Sequence, residues 1–434
     1  MKRGFYTIMS AQFFSSLADQ ALFVAAVELL RIAGAPEWQR AALVPIFAVF
    51  YVGLAPLVGA FADALPKGRV MFISNAIKVA GCLMMLFGGH PLLAYAVVGL
   101  GAAAYSPAKY GILTELLPAS QLVKANGWIE GLTIASIILG IVLGGQLIGP
   151  AISTHLLAFD FPFFDFGIDN EAEAAILVLI LVYALASWFN TRIPHTGVEM
   201  RPLRADPQRG LAANMLQLLP DFWTCNSRLW RDKLGQISLA TTTLFWGASG
   251  NLKYIVLPWA ALALGYDTTK ASALTGVLAV GTAVGAVVAS VYMRLDIATR
   301  VIPLGILMGA LVMGMNFVDN VWAAIPFLML LGGLGGFVVV PMNALLQHRG
   351  HNLMGAGRSI AVQNFNEQAC ILLLGAFYVL CTWIGLSAFG AITAFGAVVA
   401  AFMVLIWGWH RRNLRLHPEE VEHLLQIARS DKHH

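Results

Sequence analysis

The sequence predicts an all-α polytopic membrane protein with twelve transmembrane helices in two six-helix halves. Of its 434 residues, 59% are apolar and only 12% are charged, which leaves too little polar surface to cover a soluble domain. Apolar runs of about 18 or more residues recur along nearly the whole chain, and each can cross about 30 Å of hydrocarbon as a helix. These runs are too long for the strands of a membrane β-barrel and lack a period of two.

The predicted spans follow one another with short connections, except after the sixth. The first begins directly after a basic N-terminus, as in a signal peptide, but its apolar run is too long for one and predicts a retained span. The chain therefore divides into an N-terminal half (1–193), a cytoplasmic linker (194–235), a C-terminal half (236–410) and a tail (411–434). The spans are 5–31, 40–62, 70–89, 91–117, 120–149, 173–193, 236–263, 269–293, 300–318, 322–346, 358–384 and 388–410.

The basic residues predict that both termini are cytoplasmic. Of the 27 Lys and Arg, 21 then sort to the cytoplasmic side, three lie deep within spans, and only Arg31, Arg40 and Lys270 lie outside. This contrast satisfies the positive-inside rule. The long outside loop 159–173 carries five acids and no base, which agrees. The net charge of +4 reflects this asymmetry and does not indicate nucleic-acid binding.

The linker contains two candidate amphipathic segments, ANMLQLLPDFW and NSRLWRD. They place Leu218, Phe222, Trp223 and Trp230 where these side chains could rest in the membrane interface beneath the bundle. The alternative is a plain linker whose surface helices have no ligand role.

The cysteines predict no disulfide, because three lie in spans and Cys225 lies in the linker. The sequence has no metal-ligand spacing, phosphate-binding loop or nucleophile elbow. Neither a metal nor a cofactor is therefore predicted.

An internal repeat relates the two halves at an offset of 234 residues. GLGAAAYSP, from Gly99, matches GLGGFVVVP, from Gly333, and the same offset carries Lys109 onto Asn343 and Asp19 onto Lys253. A weaker echo relates Asp63 with Arg69, after the second span, to Asp296 with Arg300, after the eighth. Parallel repeats of this kind share a binding site near the middle of the membrane.

Several motifs carry a family resemblance over almost the whole chain. GAFADALPKGR at 59–69 resembles the loop between the second and third spans of the major facilitator superfamily, although Asp63 to Gly68 is two residues longer than usual. A larger set is similar to the bacterial lysophospholipid transporter family within that superfamily. This set is AQFFSSLADQALF, GAAAYSPAKYGIL, LVKANGWIE, LFWGA, VVPMNALLQHRG and GAGRSIAVQNFNE.

The resemblance implies the major facilitator fold and a transport function. Members of that family flip lysophospholipids, such as lysophosphatidylethanolamine and lysophosphatidylglycerol, from the outer to the inner leaflet of the bacterial inner membrane. They do so by alternating access, with the lipid arriving sideways, and a cytoplasmic-side acyltransferase then rebuilds the diacyl lipid. The implied partners are the lysophospholipid, membrane lipids and that acyltransferase, and nothing in the sequence demands more than a monomer.

Asp19 and Lys253 are the first candidates for substrate binding. Asp19 lies about fourteen residues into the first span, or roughly 21 Å at 1.5 Å per residue, and Lys253 is likewise near the middle of the seventh. Because the repeat makes these positions equivalent, a zwitterionic headgroup could bridge them. Alternatively, the two side chains neutralise each other or hold a gate shut.

Lys109 is the second candidate, since an unpaired ammonium inside an apolar span would lose about several kcal/mol of hydration. It could meet the phosphate as a point charge, pair with Glu115 or Glu130, or extend toward the cytoplasmic surface. Tyr110 can supply a hydroxyl beside Lys109, or it can belong to the aromatic belt at the membrane interface. Asn343 is the counterpart of Lys109 in the repeat.

Glu367 is the acid in the middle of the eleventh span. It could bind an ammonium group, carry a proton, or satisfy the neighbouring Gln363 and Asn364. Glu28 and Lys78 are interpreted as packing or interfacial charges.

Asp63, Lys67 and Arg69 are interpreted as an inter-helix charge clamp that stabilises one cytoplasmic conformation. Glu130 is assigned to the same gating set. None of these gating residues is expected to contact substrate.

Two other functions compete with lipid transport. A proton-coupled exporter of amphiphilic drugs, or a small-solute porter, would use Asp19 or Glu367 as its proton site. A membrane-embedded acyltransferase or lipase is disfavoured, because no His–Asp pair, catalytic serine motif or metal cluster falls within a span. The protein is therefore not expected to be an enzyme.

Overall fold

The computed structural model describes residues 3–158, 167–203, 210–266 and 268–430. A few side chains within these ranges, that of Lys253 among them, lie outside the description, as does most of the acidic outside loop. Every regular element in the described ranges is a helix. The all-α prediction is therefore confirmed.

The first eight helices belong to the N-terminal half of the sequence. The predicted second span is two helices, α2 and α3, which meet at Leu54 with a bend of 67°. The break has a chemical cause, since Pro56 opens α3, has no N–H to donate and clashes with the preceding turn of a continuous helix. The helices are α1 (Arg3–Ile32), α2 (Glu37–Gly53), α3 (Ala55–Ala64), α4 (Lys67–Leu86), α5 (Pro91–Leu116), α6 (Ala119–Ile148), α7 (Pro150–Leu157) and α8 (Glu171–Thr191).

The other eight helices include the linker and the tail. The tenth predicted span is eight residues too short, because its helix runs on to Met354 and ends at Gly355, whose φ is +92°. Two 3-10 turns, Leu295–Val301 and Met315–Phe317, flank the ninth span. The helices are α9 (Leu211–Arg231), α10 (Gly235–Leu264), α11 (Thr268–Tyr292), α12 (Ile302–Gly314), α13 (Val321–Met354), α14 (Ala356–Trp383), α15 (Ala388–Leu416) and α16 (Pro418–Arg429).

Each predicted span corresponds to one of the described helices, except that α2 and α3 together form the second. Among the described residues, ten helices are long and apolar enough to cross a membrane, and the bent pair makes up to eleven. The remaining predicted span is α10, of which the part Ile255–Leu264 is a shorter apolar helix. The protein is thus a multi-pass membrane protein.

The chain packs as two compact units. The first contains Met1–Leu116, Ala135–Phe222 and Ala356–Ala361. In it, α1 and α4 pack on α8, and α4 also packs on α5. Their shared core is built from small and aliphatic side chains with buried tyrosines, among them Ala18, Leu22, Tyr95, Leu179 and Tyr183.

The second unit contains Leu117–Ile134, Trp223–Gly355 and Val362–His434. Its tightest helix pair is α11 with α13, where glycines on both helices remove the side chains that would hold the backbones apart. A Cβ atom at Gly285 would overlap the carbonyl oxygen of Gly333, and one at Gly336 would overlap that of Thr282. This seam therefore tolerates nothing larger than glycine.

Three of the described helices lie outside the spans, namely α7, the linker helix α9 and the tail helix α16. The linker sequence forms one helix, α9, and not the two predicted segments. The α9 residue Trp230 donates to Asn366 of α14 over 3.2 Å and stacks on Trp409 of α15. At the C-terminus, Arg429 of α16 pairs with Asp296 at 3.2 Å. Asp296 also pairs with Arg294 and not with Arg300. The charges at this position of the repeat therefore differ from the predicted combination of Asp296 with Arg300.

The glycine seam predicts that Gly285→Ala lowers the free energy of unfolding by about 1–3 kcal/mol, the usual range for overpacking. Thermal unfolding of the purified protein in detergent measures this change. The matched control is Gly276→Ala on the same helix, where an added Cβ meets nothing within 4 Å. Equal melting temperatures for the two variants would contradict the close packing of α11 on α13.

Candidate functional site

Asp19 lies at the centre of a buried charge cluster in the first unit. The Lys78 ammonium, from α4, is 2.8 Å from one carboxylate oxygen of Asp19. The Tyr183 hydroxyl, from α8, donates to the other oxygen over 2.6 Å. Because Lys78 is only 1% exposed, Asp19 neutralises the charge of Lys78 inside the helix bundle.

Neighbouring polar groups complete the coordination of Lys78. Its ammonium also donates to the Ser15 hydroxyl over 3.0 Å, and that hydroxyl donates to the Asn75 side-chain oxygen over 2.7 Å. The Tyr105 ring lies 4.8 Å from the ammonium, measured to the ring centroid. The cluster thus offers an anion, a cation and an aromatic face to a polar ligand.

Lys78 is the residue that sequence reasoning missed, because it was interpreted as a packing or interfacial charge. The side chain of Lys253, proposed from the repeat to oppose Asp19, lies outside the described residues. A helical spacing could have indicated the contact between Asp19 and Lys78. Ser15 and Asp19 are four residues apart on α1, and Asn75 and Lys78 are three apart on α4, so each pair lies on one helix face.

Lys109 is buried in α5, as predicted from its place in an apolar span. Its ammonium lies 4.6 Å from the ring centroid of Tyr110. Tyr110 therefore meets the lysine with its aromatic face, a contact worth about 0.5–2 kcal/mol depending on how dry the site is. Glu115, one of the acids considered as its partner, instead pairs with Lys67 at 3.1 Å and accepts a hydrogen bond from Thr196.

Glu367 belongs to a polar cluster in the second unit. The Gln363 amide nitrogen donates to Glu367 over 2.7 Å and to the Asn343 side-chain oxygen over 2.9 Å. This amide thereby links α13 to α14. The Gln363 side-chain oxygen is buried and has no hydrogen-bond partner among the described residues. The cluster consequently presents acceptors, which suits a cationic donor.

Asp63 binds the N-terminus of another helix. Its two carboxylate oxygens accept from the backbone N–H groups of Gly357 and Arg358, over 2.7 and 3.0 Å. These groups are among the unpaired donors of the first turn of α14, where the helix dipole also favours an anion. Position 357 must be glycine, since a Cβ there would lie 2.6 Å from an Asp63 oxygen.

The cations around Asp63 differ from the prediction in one member. Lys67 pairs with Asp63 at 3.1 Å, as predicted. Arg69 is exposed and makes no ion pair with any described residue, and the guanidinium beside Asp63 is that of Arg358, at 3.4 Å. Arg69 is the third residue of α4, and its side chain is exposed. Arg358 is close to Asp63 because the Asp63 carboxylate binds the first turn of α14, which carries Arg358.

The second unit contains two polar links that sequence reasoning also missed. Arg349 of α13 forms a bidentate pair with Asp232, over 3.1 and 2.7 Å. The repeat could have found it, because an offset of 234 carries Glu115 onto Arg349. Asn126 of α6 and Gln347 of α13 exchange two amide hydrogen bonds, over 2.9 and 3.0 Å, and both are buried.

Glu130, assigned to the gating set, is buried on α6 four residues after Asn126. Within the described ranges, no group of three or more His, Cys, Asp or Glu side chains is placed to hold a metal ion.

Comparison with known proteins identifies relatives over nearly the whole chain. The profile of the Major Facilitator Superfamily matches residues 8–373. A protein named Lysophospholipid transporter LplT, from Escherichia coli O1:K1, is 38% identical over 412 residues, covering 95% of this chain and 97% of the relative. Its counterpart from Escherichia coli strain SMS-3-5 matches to the same extent.

Solved structures show the same fold at low sequence identity. The human organic anion transporter MFSD10 superposes with a TM-score of 0.67 at 15% identity, over 94% of this chain and 100% of that one. The transporter FucP in its outward conformation gives 0.66 at 12% identity, over 93% and 98%. The profile match and the identity to the Escherichia coli proteins together establish that this chain belongs to the Major Facilitator Superfamily and, within it, to the lysophospholipid transporter family.

Proposed function

We propose that this protein moves lysophospholipids from the outer to the inner leaflet of the bacterial inner membrane, where they are re-acylated. The proposal rests on its 38% identity to Escherichia coli LplT over 95% of the chain. The structural observation that carries it is the buried Asp19–Lys78 pair, because a phosphate and an ammonium on one ligand can replace both partners of such a pair. The lysophospholipid acyl chain would remain in the surrounding lipid as the headgroup enters sideways.

Headgroup exchange offers a physical route for binding. When the headgroup arrives, its phosphate takes the Lys78 ammonium and its ammonium takes Asp19, so no charge is left uncompensated in the apolar interior. Tyr183 stays hydrogen-bonded to Asp19, and Ser15 stays hydrogen-bonded to Lys78. The exchange therefore avoids most of the desolvation cost of opening an ion pair.

The other candidate substrate residues fit the same chemistry. Lys109, held against Tyr110, supplies a second cation for the phosphate in the first unit. Lys253 remains the proposed phosphate-binding residue of the second unit. Glu367, Asn343 and the partnerless Gln363 oxygen supply acceptors for an ammonium group.

The gating assignment follows from the contacts of Asp63. This carboxylate joins α3 to the first turn of α14, and Lys67 joins it to Glu115. Breaking these contacts exposes unpaired N–H groups and a buried charge, which makes one conformation more stable than another. Asp63 and Lys67 therefore act on conformation, and we place Glu130 and the Asn126–Gln347 pair in the same role. Arg69 is exposed, has no ion pair with a described residue, and is not part of this network.

The remaining assignments are part of the same proposal. The chain is a monomeric transporter and not an enzyme, both termini are cytoplasmic, and the N-terminal half ends where the linker begins. A cytoplasmic-side acyltransferase consumes the delivered lipid.

A proton-coupled porter of the same superfamily is the second candidate. The observation that favours it is the burial of Glu367, since an acid inside a span is a common proton site. Such a porter would carry water-soluble compounds or amphiphilic drugs and would respond to a proton gradient.

Reconstitution in liposomes tests the transport function and the headgroup assignment together. Inward movement of labelled lysophosphatidylethanolamine and lysophosphatidylglycerol is measured with and without ion gradients. Lys78→Gln should slow both lipids about tenfold or more, because a desolvated charge contact is worth on the order of 1.5–3 kcal/mol. Asp19→Asn should slow lysophosphatidylethanolamine more, because lysophosphatidylglycerol has no ammonium.

Glu28→Gln provides the control, since it removes a carboxylate from the same helix that pairs with Arg31 near the helix end. It should leave the headgroup preference unchanged. The charge swap Asp19→Lys with Lys78→Asp distinguishes a headgroup-binding role of the pair from a structural role. Normal transport with an unchanged preference in the swap would mean that the pair is purely structural.

Asp63→Asn is expected to slow transport several-fold while lysophospholipid affinity stays nearly constant. The amide cannot accept from both α14 N–H groups and removes the charge that pairs with Lys67. Binding to the purified protein and flux in liposomes are compared, with Asp296→Asn as the control carboxylate outside this network. Loss of affinity at normal turnover would instead assign Asp63 to the substrate.

The orientation is tested by labelling introduced cysteines with an impermeant reagent. Cys225 cannot report on the side of the membrane, because it is buried. Exposed positions are suitable, and we expect Asp169→Cys to react in intact cells and Glu419→Cys to react only after permeabilisation. The reverse pattern would overturn the proposed topology.

A further inference from the structure

The end of α15 carries a groove that the transport function does not use. It is about 570 Å³ in volume and runs along one face of the last span. Its lining includes Trp407, Gly408, Arg411, Arg412, Arg415 and Leu416. All six residues belong to the final turns of the helix, where a membrane span meets the headgroup layer.

The three guanidinium groups of this groove have no acidic partner among the described residues. Two acids that follow in the sequence already have other partners. Glu420 pairs with His417, and Glu422 pairs with Arg429. Arg411 stacks on the Trp407 indole, 4.5 Å from the ring centroid. This contact holds one guanidinium over the groove in a fixed direction.

The order of side chains along the helix matches the order of groups in a phospholipid. Val404 and Trp407 come first, inside the apolar span, and Arg411 and Arg415 follow one and two turns later. The distance from Val404 to Arg415 is roughly 16 Å at 1.5 Å per residue, enough to pass from the upper acyl chains to the phosphate. Gly408 leaves the middle of the groove open, as an added Cβ there would meet nothing within 4 Å.

The corresponding end of α8, which closes the first half, provides an internal comparison. There Arg192 stacks on Trp188 at 4.6 Å with the same spacing of four residues. However, it is followed by Ile193 and Pro194, so the stacked pair stands alone. The two added arginines are therefore peculiar to α15 and are not needed to end a span.

We propose that the groove formed by Trp407, Gly408, Arg411, Arg412 and Arg415 binds a diacyl phospholipid with a net negative headgroup. Guanidinium groups fit phosphate oxygens in bidentate pairs, and each basic residue near an anionic leaflet adds to the attraction. The apolar end of the groove holds the acyl chains, which excludes a free phosphate ion as its natural occupant. In the proposed orientation the site faces the cytoplasmic leaflet.

Native mass spectrometry of the full-length protein tests the proposal. The purified protein is titrated with dioleoyl phosphatidylglycerol and, separately, with dioleoyl phosphatidylcholine. The triple variant Arg411→Gln, Arg412→Gln, Arg415→Gln should lose one bound phosphatidylglycerol and bind the lipid about tenfold more weakly or worse. Arg192→Gln is the matched control and should bind like the unchanged protein.

Three results would overturn the proposal. They are equal binding by the triple variant and Arg192→Gln, equal binding of the two lipids at this site, and displacement of phosphatidylglycerol by inorganic phosphate. The corresponding triple lysine variant keeps the charge and should retain most of the affinity while losing the bidentate contacts. If the glutamine variant is not monodisperse, Arg411→Gln alone is compared with Arg192→Gln.

Discussion

Hydrocarbon solvates neither a charge nor a backbone N–H, and the polar structure of this protein follows from that constraint. Asp19 and Lys78 are tolerated between α1 and α4 because each neutralises the other and Tyr183 fills a remaining acceptor position. The same constraint explains Asp63, whose carboxylate satisfies helix donors that would otherwise be unpaired. Stability and function are thus linked, since any charge that a substrate binds must first be released from a protein partner.

The architecture was largely predictable because its signal is local. A run of about 20 apolar residues predicts a span, regardless of the helices that pack against it. The errors came where a boundary depends on polar detail. The helix α13 continues beyond the apolar run, through the more polar end of VVPMNALLQHRG. The linker forms one helix, in which Pro220 is accommodated.

The candidate sites were predictable in part. Asp19, Lys109 and Glu367 could be found because an ionisable residue in an apolar run stands out by itself. Asp63 could be found because GAFADALPKGR resembles the loop between the second and third spans of the superfamily. Their partners could not, because partner choice depends on which helix faces meet. The repeat pointed from Asp19 to position 253, whereas packing within the first unit brings α4 and Lys78 to it. Similarly, Arg358 lies 295 residues from Asp63 and reaches it only through the fold.

The Asn126–Gln347 pair differs from these ionic contacts in containing no charge. Two amides that exchange donor and acceptor do not titrate, and dissolved ions screen them little. The link between α6 and α13 should thus cost the same to open in acid or alkaline surroundings and at low or high salt. A cell whose surroundings fluctuate would in this way keep one contact between these two helices at constant strength.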